Sequence, residues 1–121
     1  MTPHLQEAIR AAQGRKAVDL AVLDLKGICS FTDSFVICSG TSTRHIQAIA
    51  EAVREELGKS GLSPAHVEGR HEAEWVLLDY LDFVVHVFSQ RARQFYDLER
   101  LWRKAVRVPV ESDEGNTNDE R

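Results

Sequence analysis

The sequence predicts one mixed α/β domain: a mixed β-sheet with helices packed mainly on one face, in the order α-β-β-α-β-β-β-α. Three observations carry that expectation. Apolar residues recur at helical spacing in three separate stretches, and short β-branched and aromatic runs lie between them. The chain of 121 residues and 13.7 kDa is long enough for one hydrophobic core and too short for two. The domain is expected over residues 1–108, with a disordered acidic tail over residues 109–121.

Thr2 followed by Pro3 reads as a helix start, a hydroxyl acceptor before a residue whose φ is preset. Leu5, Ala8, Ile9 and Ala12 then line one helical face, and Gly14 ends the pattern. VDLAVLDL (residues 18–25) and DSFVICSG (residues 33–40) read as strands. Thr41, Ser42 or Thr43 can cap the next helix, whose stripe is Ile46, Ile49, Ala50, Val53 and Leu57, with Gly58 and Gly61 beyond it. A weak strand, AHVEG, follows Pro64. EWVLLDY (residues 74–80) and DFVVHVF (residues 82–88) form a tight antiparallel hairpin with only Leu81 between them, although the turn lacks Asn-Gly. Leu98, Leu101, Trp102 and Ala105 predict a last helix.

Composition excludes several classes of function. The longest apolar runs are four residues, far short of the ~20 that a membrane span needs, and the N-terminus has no apolar core of a secretion signal. A soluble, cytoplasmic protein is expected. The last eleven residues hold five acids and one base; removing them from 19 acidic and 15 basic residues leaves 14 of each. A neutral body argues against a nucleic-acid binder working through a broad basic face. The body is nevertheless polarised, with five acids and one base in residues 68–82 and six bases and two acids in residues 91–107. Cys29 and Cys38 have no CxxC spacing, and buried or half-buried free thiols are the favoured reading.

No constellation reads as a complete active site. The loop SGTSTRH, from Ser39 to His45, could cradle a phosphate at a helix start, but it matches neither established nucleotide fingerprint and equally suits simple capping. His66, Glu68, His71 and Glu72 offer N and O donors without a geometry that joins all four. Asp79 and Asp82 flank a turn with no third acid, and His86 reads as a partly buried structural histidine. Neither metal nor organic cofactor is expected.

The strand around Trp75 resists a purely structural account. Trp75, Leu77 and Asp79 fall on one face, and Val76, Leu78 and Tyr80 on the other, so both faces are largely apolar. Either the strand is buried on both sides, or it leaves an apolar, acid-rimmed patch of the kind that binds proteins.

FTDSFVICSGTSTRH (residues 31–45), HVEG (residues 66–69), WVLLDY (residues 75–80), DFVVHVF and FYDLERLW (residues 95–102) together resemble, in order and spacing, the bacterial ribosomal silencing factor family, also called iojap-like. The resemblance covers about residues 5–106, and Ser34 departs from the bulkier residue usual in the family. It implies a non-enzymatic translation repressor that binds the large ribosomal subunit through its fourteenth ribosomal protein. Joining of the small subunit would be blocked sterically, and translation would fall under nutrient limitation. It also implies a nucleotidyltransferase-like fold without the catalytic acids, and a homodimer when free. The expected partner-binding residues are His66, Glu68, Trp75, Leu77, Leu78, Asp79 and Tyr80, the acids facing a basic ribosomal protein and the apolar side chains supplying desolvated contact. Arg91, Arg93, Arg100, Arg103, Lys104 and Arg107 are candidates for a secondary rRNA contact. The alternative reading is a small nucleotide-binding or nucleotidyltransferase-like enzyme using the loop from Ser39 to His45.

Overall fold

The computed structural model describes residues 2–69 and 73–110. Helix α1 (Pro3–Gly14) starts where the sequence indicates, with Thr2 Oγ1 accepting the Leu5 amide at 3.3 Å. Strands β1 (Val18–Asp24) and β2 (Ser34–Gly40) pair antiparallel, and helix α2 (Thr43–Lys59) follows with Ser42 as its cap. Strands β3 (His66–Glu68), β4 (Trp75–Asp79) and β5 (Phe83–Ser89) come next. Helix α3 (Gln90–Tyr96), the one-turn helix α4 (Leu98–Leu101) and strand β6 (Val106–Val108) complete the described elements. They form one mixed sheet in the order β3-β4-β5-β2-β1-β6, in which β2 and β5 are parallel and the other neighbours antiparallel.

The helix stripes explain one side of the sheet. Leu5, Ala8, Ile9 and Ala12 of α1, with Ile46, Ile49, Ala50, Val53 and Leu57 of α2, pack on Val22, Val36, Cys38, Val76, Leu78, Val85 and Val87. Each large aliphatic side chain withdrawn in this way contributes roughly 1.5–3 kcal/mol of transfer free energy. Burial pushes the Cys38 thiol up to about 12, which makes it a core hydrophobe rather than a nucleophile. Cys29 is half-buried, and both thiols are free.

The other side departs from expectation. Leu23, Leu25, Phe35, Ile37, Val84 and Phe88 are covered by α3 and the segment after it, with Leu98, Trp102 and Ala105 packed against them. Helices therefore lie on both faces, the two long ones on one side and the short pair on the other. The predicted single C-terminal helix is also corrected. Asp97 takes a left-handed conformation (φ 50°), which ends α3 and restricts α4 to one turn. Trp102 and Ala105 keep their apolar role without helical structure, and residues 106–108 extend the sheet by pairing with β1. Arg93 fastens this layer: its guanidinium donates to both carboxylate oxygens of Glu99 at 3.0 and 3.1 Å and to Ser39 Oγ at 3.0 Å. Those bonds hold the Glu99 carboxyl below its ordinary range, with Arg107 adding to the effect. Val108 and Val110 pack against the α1/α2 core, while residues 111–121 of the expected tail lie outside the described residues.

Candidate functional site

Strand register determines what β4 presents. Val76 and Leu78 enter the α1/α2 core, whereas Trp75 and Leu77 lie on the opposite face and remain partly accessible. Glu68 stands opposite Leu77, and His66 opposite Asp79, so these five side chains share one face of the β3–β4 edge. Leu78 (1% exposed) and Tyr80 (5%) are sealed inside the protomer, which corrects the expectation that they stand at a docking surface. Alternation carries both toward the long helices. Tyr80 stacks on Phe83 with ring centroids 5.2 Å apart, and burial pushes its phenol up to about 12. Asp79 has a turn role as well: its Oδ1 accepts the Leu81 amide at 2.8 Å, where Leu81 adopts φ 74°.

Two residues absent from the sequence-based set extend the patch. Phe95 and Tyr96, at the end of α3, are 77% and 50% exposed. Tyr96 lies 4.6 Å from the Trp75 ring, and Trp75 stacks on Phe88 at 4.8 Å. Phe95 meets Tyr96 edge-on at 5.0 Å. A groove of about 560 Å³ runs between Glu74, Trp75, Arg91, Ala92, Phe95 and Tyr96. Adjacent aromatics on a helix cannot both occupy one narrow buried stripe, so the Phe95-Tyr96 pair carried a signal of exposure. What α3 alone does not reveal is that its end lies beside Trp75.

The rim is polar. Glu74 pairs with Arg91 and accepts from Ser89 Oγ at 2.9 Å; the Arg91 bond is the main reason its carboxyl sits below the ordinary range. His66 Nε2 and Glu68 Oε2 are 2.5 Å apart on the outer strand. These exposed pairs organise the edge more than they stabilise it.

Gly69 explains why the motif HVEG ends as it does. It has φ 82°, and a Cβ there would collide with the Trp75 carbonyl oxygen. Gly69→Ala is expected to cost about 2 kcal/mol and to loosen β3 from β4 while the α1/α2 core stays intact. Chemical denaturation and amide exchange across the β3–β4 ladder measure this; exchange equal to wild type contradicts it.

The other sequence candidates have structural roles. In the loop from Ser39 to His45, Ser42 Oγ accepts the His45 amide at 3.0 Å and His45 Nδ1 accepts the Thr41 amide at 2.9 Å. That leaves His45 Nε2 to donate to the Arg15 carbonyl at 2.7 Å, tying the end of α1 to the start of α2. Ser39 is taken by Arg93. Among the described residues no three His, Cys, Asp or Glu form a metal-binding group; His71 and Glu72 lie outside them. His86 is buried in the sheet, more completely than the sequence suggested. Of the basic run, Arg91, Arg93 and Arg107 are engaged with Glu74 or Glu99, and Arg100, Arg103 and Lys104 are exposed.

Comparison with known proteins places this geometry in a family context. A family model described as "Ribosomal silencing factor during starvation" matches residues 1–121. The chain is similar to proteins named ribosomal silencing factor RsfS from Halalkalibacterium halodurans (40% identity over 107 residues, 88% of this chain and 92% of that protein) and Bacillus subtilis (41% over 101 residues, 84% and 86%). It is also 33% identical over 89 residues to the Mus musculus protein named mitochondrial assembly of ribosomal large subunit protein 1, covering 71% of this chain and 39% of that protein. Among solved structures, protein CV0518 from Chromobacterium violaceum aligns with a TM-score of 0.80 at 32% identity, over 92% of this chain and 93% of that one.

Proposed function

Since the chain belongs to the ribosomal silencing factor family, we propose that it represses translation by docking on the large ribosomal subunit and obstructing the small one. The family match over the whole chain carries this reading, and the name of the mouse relative points to the large subunit in particular. The docking element is the strip made by Trp75, Leu77, Phe95 and Tyr96, with Glu68, His66 and Asp79 along its edge. Its partner is the fourteenth protein of the large subunit, a basic surface that suits an apolar centre rimmed by carboxylates. The aromatic anchors supply affinity, whereas the exposed acids set orientation and on-rate.

The mechanism is occlusion without a covalent step. A domain of ~120 residues has a radius of gyration of about 14 Å, so a bound copy is bulky enough to hold two subunit faces apart. Silencing then follows the ratio of free factor to Kd and reverses on dilution. In the Ser39-to-His45 loop the Ser42 hydroxyl is committed to capping and the Ser39 hydroxyl to Arg93, which favours this reading over nucleotide chemistry. The free protein is a cytoplasmic homodimer, repression operates under nutrient limitation, and the exposed Arg100, Arg103 and Lys104 give a secondary contact to rRNA phosphates.

Purified subunits on a sucrose gradient test the proposal. Stoichiometric protein should deplete the joined particle and comigrate with the large subunit. An unchanged joined peak at saturating protein overturns it.

A further inference from the structure

His86 is the one polar side chain among the six residues FVVHVF of β5, and it is only 3% exposed. Register sets it between Leu77 of β4 and Ile37 of β2. Its ring meets Phe35 edge-on at 4.4 Å and lies nearly parallel to Phe88, with 9° between planes. Packing alone would be served by leucine or phenylalanine. Moreover, the histidine brings a disadvantage: the Trp75 indole N–H donates to Nδ1 at 3.1 Å, so Nε2 carries the proton, and buried Nε2 has no hydrogen-bond partner among the described residues. The polar function on which this residue acts is therefore the acceptor offered to Trp75.

An indole that stacks on Phe88 and meets Tyr96 at a tilt could keep its apolar contacts with the ring turned over. The Nδ1 acceptor distinguishes the two orientations and satisfies the only donor of the side chain from inside the protein. We infer that His86 is a positioning residue, which holds Trp75 in one orientation before docking and leaves its outer surface free of unmet polar groups. Preorganisation of this kind removes the cost of ordering the anchor during association. The inference rests on the docking reading above.

The test uses the full chain with Trp102→Phe, so that Trp75 is the sole tryptophan. His86→Phe and His86→Leu remove the acceptor, and His86→Asn returns an oxygen near the place of Nδ1. In the wild-type chain, a ¹⁵N–¹⁵N coupling across the indole-to-imidazole hydrogen bond is expected, with Nδ1 unprotonated. In the Phe and Leu variants the indole proton should move upfield and lose exchange protection. Their affinity for isolated large subunits should fall three- to tenfold, and Asn should recover both properties. Absence of the coupling, or loss of the indole signature with unchanged affinity, overturns the positioning role. Should wild-type protein fail to bind large subunits in the same assay, the docking reading falls, and the anchor role falls with it. Equal binding by wild type and variant removes the positioning role alone. If the Leu variant does not fold, His86→Phe keeps the aromatic contacts and decides the question.

Discussion

Replacing Trp75 with alanine is expected to lower affinity for isolated large subunits by about tenfold or more. Trp75 lies at the centre of the exposed strip, with Tyr96 on one side and Leu77 two residues along the strand. Buried aromatic anchors commonly account for 2 kcal/mol or more of binding, which is about thirtyfold in Kd. The same substitution affects the fold, because the indole also stacks on Phe88 and donates to His86. For this partly buried ring the expected loss is about 2–3 kcal/mol of stability, below the range for a fully buried aromatic. Phe95→Ala separates the two effects. With 77% of its surface exposed, Phe95 contributes little to the core, so its removal should leave thermal unfolding nearly unchanged while binding weakens roughly three- to tenfold. Titration of labelled protein with purified large subunits, run beside thermal denaturation, gives both quantities. Wild-type affinity in a folded Trp75→Ala protein would remove the strip from the interface.

Local patterns revealed much of the fold, and the exceptions share a physical cause. The stripes of α1 and α2 were legible because a long amphipathic helix states its buried face in its own spacing. Alternation along β4 likewise separated Trp75 and Leu77 from Val76 and Leu78. It did not say which set is covered, since that depends on where two helices far away in sequence cross the sheet. Leu78 and Tyr80 were consequently expected at the surface and are found under α1 and α2. The C-terminal third was harder still. A left-handed aspartate at residue 97 interrupts what spacing alone describes as one helix, and Val106–Val108 becomes a strand only because β1 offers an open edge. Phe95 and Tyr96 joined the candidate site through a tertiary contact with Trp75, which no window along the chain contains.

Acidification should weaken the protein in two stages, the first governed by His86. Desolvation lowers this imidazole from 6.5 to about 3, so between those values the unfolded chain binds a proton that the folded chain refuses. Stability therefore rises with pH across that window: the contribution is complete above 6.5 and is withdrawn as pH falls toward 3. Its full size is roughly 5 kcal/mol at about 1.36 kcal/mol per pKa unit, and about 2 kcal/mol of it disappears by pH 5. Glu99 and Glu74 act later. Each is held below the ordinary 4.5, chiefly by hydrogen bonds from Arg93 and Arg91 respectively, so any stability they add is lost only under more acidic conditions. Urea unfolding at pH 7, 6 and 5 isolates the histidine from both carboxylates. The wild-type unfolding free energy should drop by about 2 kcal/mol over that range, while His86→Phe stays nearly flat even if its absolute stability differs. Parallel slopes in the two proteins would assign the acid sensitivity elsewhere and would mean that the folded sheet tolerates a charged imidazole between Phe35 and Trp75.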